Sequence, residues 1–107
     1  MSHLEPFDQL LEACKLGNVE VVRGLLEQTP ELVYLQSEDE EQLAALHVAA
    51  GAGHMNVVEE LLAHGAPWNA VDFKHRSAGC HARDGGHENI YERLADVRLA
   101  RRRGHLV

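Results

Sequence analysis

The chain has 107 residues, 45% hydrophobic and 25% charged, with a formal net charge of −7, which fits one small soluble domain with a thin core. No apolar run reaches the length of a membrane span, and residues 1–10 lack the basic start and apolar centre of a signal peptide. The charge is uneven: residues 1–72 carry thirteen acids against Lys15 and Arg23, whereas residues 73–107 carry eight Lys/Arg against four acids.

The first predicted elements are two helices within residues 10–26, broken at Gly17. A glycine there ends a helix because a tight reversal needs a residue that tolerates positive φ. The second helix carries Val21-Val22 and Leu25-Leu26. Apolar pairs at i, i+1, i+4 and i+5 make one broad buried stripe. Pro30 then stands where a terminating glycine is usual. The link that follows is long, and Ser37 leads into Glu38, Asp39, Glu40 and Glu41, a like-charged run expected in an exposed loop.

The pattern returns at residues 46–62. Gly53 takes the place of Gly17, and the pairs Val57-Val58 and Leu61-Leu62 take the place of the earlier ones. Glu59 and Glu60 lie between these pairs and are expected to face water. Pro67 stops this unit. A second loop tip follows at Phe73, Lys74, His75 and Arg76. Residues 79–95 give a third, degraded copy with Gly86, Ile90-Tyr91 and Leu94-Ala95. Here Gly79 stands for a leucine and Arg83 for an alanine, so a weak first helix is expected. Beyond about Leu99 there is no repeat partner, and Arg98, Arg101, Arg102 and Arg103 repel one another. A basic, flexible tail is expected over residues 99–107.

The three shared glycines are 36 and 33 residues apart. Ala13, Ala49 and Ala82 recur at one point of the first helix, where a small side chain lets the next unit approach. A turn and two helices repeating at about 33 residues resembles the ankyrin repeat. The expected fold is therefore an all-α, short ankyrin-repeat solenoid with two good repeats and one degenerate repeat. It spans residues 7–98, with repeats at about 7–40, 43–72 and 73–98. One string is more specific. Gly65-Ala66-Pro67-Trp68-Asn69-Ala70, with Ser77-Ala78-Gly79 and Gly86-His87-Glu88-Asn89-Ile90-Tyr91, resembles the N-terminal ankyrin module of fungal and plant δ-nitrogen arginine N-methyltransferases. In that family the module precedes a domain that uses S-adenosylmethionine. The chain departs from the family pattern at Cys80 and after Arg98. None of the matching positions belongs to that catalytic domain, so no catalytic residue carries over.

Sites of chemistry are sparse. The glycines Gly51 and Gly53 follow residues 46–50, which are predicted to be helix rather than strand, and this does not suit a nucleotide-binding turn. Cys80, His81 and His87 form the tightest metal-ligand cluster but lack the second closely spaced pair of a zinc site. His47, His54 and His87 fall at repeat positions where a histidine hydrogen-bonds loop backbone, and His64 and His75 read as surface or loop residues. No catalytic, cofactor-binding or metal-binding residue is expected, and no cofactor.

Function is expected to be protein–protein interaction without catalysis. The alternative is an accessory ankyrin fragment of an S-adenosylmethionine-dependent arginine N-methyltransferase. The candidate partner-binding residues are Glu38, Asp39, Glu40 and Glu41 at one tip, Phe73, Lys74, His75 and Arg76 at the other, and Trp68. For Trp68, packing of its ring against the adjacent repeat competes with a role as a partner anchor. The partner expected is a protein with a basic patch. Nucleic acid is not expected, because the acidic front releases no counterions there. No membrane partner is expected, and the chain is expected to be a monomer. Two distant cysteines, Cys14 and Cys80, do not make a disulfide framework, which points to the reducing cytoplasm or nucleus.

Overall fold

A computed structural model describes residues 5–104, with side chains described through residue 100. The helices are α1 (Pro6–Leu16), α2 (Val19–Gln28), α3 (Ala45–Ala52), α4 (Met55–Ala63), α5 (Ala78–Asp84) and α6 (Glu88–Gly104), with a 3-10 turn at Pro30–Tyr34. They pair as α1–α2, α3–α4 and α5–α6, and the pairs stack: α1 on α3 on α5 in one row, α2 on α4 on α6 in the other. This is the stacked helix-pair architecture expected from the repeat. None of the described helices is long and apolar enough to cross a membrane.

The punctuation comes from the residues the repeat singled out. Pro6 opens α1, where its missing N–H costs no helix bond. Gly17 and Gly53 end α1 and α3 at φ of 78° and 85°. Each also makes room for the next unit: a Cβ on Gly17 would lie 2.6 Å from the His54 ring, and one on Gly53 would lie 2.5 Å from the His87 ring. The histidines that open α4 and α6 thus rest on the glycines of the preceding units, and His54 Nε2 also bonds the Lys15 carbonyl at 3.1 Å. Two separate constraints meet at Gly53. Gly53→Ala is therefore expected to cost more than about 1 kcal/mol, read as a lowered midpoint in urea unfolding. Asn18 caps α2 by accepting from the Val21 N–H at 3.3 Å. Pro30 stops α2 by opening the 3-10 turn, which carries Leu32 and Val33 into the core.

Ala13, Ala49 and Ala82 are buried, as close stacking requires. In the middle unit Val57, Val58 and Leu61 are fully buried, with Leu62 partly so. The expected broad stripe narrows at both ends of the stack. Val22 and Leu26 are buried but Val21 is 42% exposed, and Ile90 and Leu94 are buried but Tyr91 is 39% exposed. An outer unit has a neighbour on one side only, so one member of its apolar pair stays partly exposed.

One expectation is corrected. Glu59 is exposed, but Glu60 does not face water: its side chain is only 17% exposed, and it pairs with Arg23 Nη2 at 3.2 Å across the α2–α4 contact. The Arg23 hydrogen bond outweighs burial and, with His64, holds the Glu60 carboxyl below its ordinary range. Helix α6 continues to Gly104, into the residues read as the start of a basic tail. Leucine, alanine and arginine are good helix formers. Residues 105–107 of the expected tail lie outside the described residues.

Candidate partner-binding surface

The two loop tips are hairpins closed by single bridges, Gln36 to Ala44 and Val71 to Ser77. They lie side by side. Gln36 Nε2 donates to the carbonyls of Gln42 at 2.8 Å and Val71 at 2.7 Å. The Phe73 N–H donates to the Glu41 carbonyl at 3.2 Å. The acidic run and the Phe73–Arg76 tip therefore form one continuous edge, which the sequence presented as two separate loops.

Within the first tip the four acids have different roles. The Asp39 carboxylate accepts from Ser37 Oγ at 2.7 Å, the Glu41 N–H at 3.0 Å and the Gln42 N–H at 3.3 Å. The Ser37 and Glu41 bonds, against a burial cost, hold its carboxyl below the usual range. Asp39 shapes the loop, while the side chains of Glu38, Glu40 and Glu41 are exposed.

The second tip is built on Asp72, which sequence reasoning passed over. It is 2% exposed. Its Oδ1 accepts from the N–H groups of Lys74 and Arg76, both at 2.9 Å, and its Oδ2 accepts from His81 Nε2 at 2.8 Å. Burial acts to raise the carboxyl, but the Arg76 N–H, the His81 ring and the Lys74 N–H outweigh it and hold it well below the ordinary carboxylate range. His75 takes a φ of 61° at the tip. Phe73 is 46% exposed, with Lys74 Nζ 5.3 Å from its ring centroid. Arg76 is tied down by Asp84 at 3.0 Å and Asp72 at 3.5 Å.

Behind this edge, His47 is buried and braces the loop base. Its Nδ1 accepts from the Ala44 N–H at 2.9 Å, so Nε2 carries the proton and donates to the Ala70 carbonyl at 2.9 Å. Burial lowers its pKa and favours this neutral form. The loop-backbone role expected for His47 is the one it fills, whereas His54 bonds a carbonyl in the last turn of α1. His81, read in the sequence beside Cys80 and His87, is turned onto Asp72, while the Cys80 Sγ lies 3.6 Å from Ser77 Oγ. Among the described residues, no three His, Cys, Asp or Glu side chains are grouped to hold a metal ion. The other cysteine, Cys14, is buried, and burial pushes its thiol up to about 12.

Trp68 is not part of the loop edge. It is partly buried against the core, and it lines an open cleft of about 220 Å³ with Gly79, Tyr91, Leu94 and Arg98 at the α5–α6 end of the stack. The candidate residues thus divide between the joined tips and this separate cleft.

Comparison with known proteins agrees with this architecture. A family model described as ankyrin repeats, in three copies, matches residues 10–101. Ankyrin repeat domain-containing protein 49 from human is 36% identical over 67 residues, and its bovine counterpart is 37% identical over 67 residues. Each match takes in 63% of this chain but only 27% of the relative. The transient receptor potential cation channel subfamily A member 1 of Drosophila melanogaster is 34% identical over 67 residues, covering 61% of this chain and 6% of the channel. Three stacked helix pairs, two of them turned by left-handed glycines that seat the next unit's histidine, carry the same assignment: the chain belongs to the ankyrin-repeat family.

Proposed function

We propose that this chain is a non-catalytic protein-interaction module that reads a partner with a basic patch through its joined loop tips. The observation that carries this reading is the continuous edge made by the Phe73 N–H on the Glu41 carbonyl. It sets exposed Glu38, Glu40 and Glu41 beside exposed Phe73. Acidic side chains steer a basic partner toward the edge, and an exposed aromatic ring supplies contact area once it is there. The test is affinity capture with the full chain and with Glu38, Glu40 and Glu41 all changed to Gln. A specific partner should be held by the first, lost by the second, and released as salt rises. Capture indifferent to both changes would overturn the reading.

The second reading is an accessory ankyrin unit of an S-adenosylmethionine-dependent arginine N-methyltransferase. It rests on the string Gly65-Ala66-Pro67-Trp68-Asn69-Ala70. It is decided by whether the parent gene encodes a methyltransferase domain downstream.

A further inference from the structure

A groove runs between the first turn of α1 and the strand-like segment that leads into the acidic loop. Its volume is about 610 Å³, and it is lined by Glu5, Phe7 and Asp8 on one side and by Leu35, Glu38 and Asp39 on the other, with Gln36 and Ser37 between. That volume is within the range of roughly 300–1,000 Å³ in which proteins hold ligands and short segments. Phe7 is partly buried and Leu35 is 43% exposed, which gives the groove an apolar floor open to solvent. Among the described residues, four carboxylates and no Lys, Arg or His line it. A concave surface lined by one sign of charge concentrates counter-ions of the other.

The loop edge is less uniformly charged. There Lys74 follows Phe73, whose N–H is bound to the Glu41 carbonyl, so a cation stands in the same tip that meets the acidic run. The groove on the other side of the acidic run has no such neutralising residue among the described residues.

We propose that this groove holds a short arginine- or lysine-rich segment of a partner protein, with an apolar side chain of that segment seated on Phe7 and Leu35. This rests on the reading of the partner as basic, and it adds an anchor for that partner in the groove beside the tips. Asp39 is occupied within its own loop, so ion pairing falls to Glu5 and Asp8 on one wall and Glu38 on the other. A cation on each side of one apolar residue meets both walls. An arginine stem can also lie on the Phe7 ring.

The experiment is fluorescence anisotropy with the full chain and two labelled peptides of equal length, one alternating arginine with leucine, the other alternating glutamine with leucine. The arginine peptide should bind and the glutamine peptide should not. The double change Asp8→Lys with Glu38→Lys should weaken binding by about tenfold or more, and by more than Glu40→Lys with Glu41→Lys does. Leu35→Ser, which leaves every charge in place, should also weaken binding. Circular dichroism of each variant confirms that the fold is kept. If the tip pair abolishes binding and the groove pair does not, the groove inference is overturned and the basic-partner reading stands. Equal losses from both pairs, with no effect of Leu35→Ser, would mean diffuse charge attraction and would overturn it too. An arginine peptide that fails to bind at all overturns the groove inference, leaving the broader reading to the capture experiment.

Discussion

Leu61→Ala is expected to remove on the order of 2–5 kcal/mol of stability, the cost of a large-to-small change at a fully buried site. Leu61 is 0% exposed, and its helix, α4, touches both α2 and α6. Each unit of such a stack buries its face only against its neighbours, so stability is a sum of local and interface terms. A cavity in the middle unit weakens its own packing and both interfaces at once. A 107-residue chain has a thin core, and ordinary domains hold only about 5–15 kcal/mol in total. The variant is therefore expected to melt far below the parent or to be unfolded at room temperature. Leu62→Ala is the internal control. Leu62 is only partly buried against the core, so its truncation should lower the midpoint less. Thermal melts followed by circular dichroism compare the two. An unchanged midpoint for Leu61→Ala, or a larger drop for Leu62→Ala, would show that the burial pattern of α4 is misassigned.

The same pair of leucines shows how far a repeat can be read without coordinates. Gly17 and Gly53, and Ala13, Ala49 and Ala82, recur at fixed spacing because each answers a constraint that every unit shares: a left-handed turn, or a close approach by the next helix. Such positions are legible because the reason is local and repeated. Glu60 was not legible. It lies between apolar pairs like Glu59, yet Arg23, 37 residues earlier, draws it into an interface. Nothing in the spacing around residue 60 marks that partner. Val21 and Tyr91 were misjudged for a related reason: the stripe is the same in every unit, but the neighbour that covers it is not. On the candidate surface, the two tips could be named from composition, since like charges and Phe73-Lys74 point to exposed loops. That they join into one edge depends on Gln36 reaching the Val71 carbonyl, a contact that no periodicity encodes.

Asp72 carries the second large prediction. Its carboxylate accepts three donors, the Lys74 and Arg76 N–H groups and His81 Nε2, while being nearly inaccessible to water. Asp72→Ala deletes the acceptor for all three. Bonds to a charged group are worth more than neutral ones, so a loss on the order of 2–3 kcal/mol is expected near neutral pH. The sign of the pH dependence follows from the depressed carboxyl. In the unfolded chain an aspartate titrates near about 3.9. In the folded chain Asp72 stays ionised below that value, so the unfolded state binds more protons there and stability falls as pH falls. The contribution is complete above about pH 4 and is lost progressively as pH drops from there toward the folded-state value. The stability gap between parent and variant, measured by urea unfolding, should therefore narrow below about pH 4. A gap that does not narrow would mean that the carboxylate charge is not what holds the tip. A gap near zero throughout would mean that the Lys74 and Arg76 N–H groups are satisfied equally well by water. The consequence for binding follows from position. Phe73 and Lys74 are oriented by the turn that Asp72 closes, so in Asp72→Ala capture of a partner by the loop edge should weaken even at temperatures where the helices remain folded.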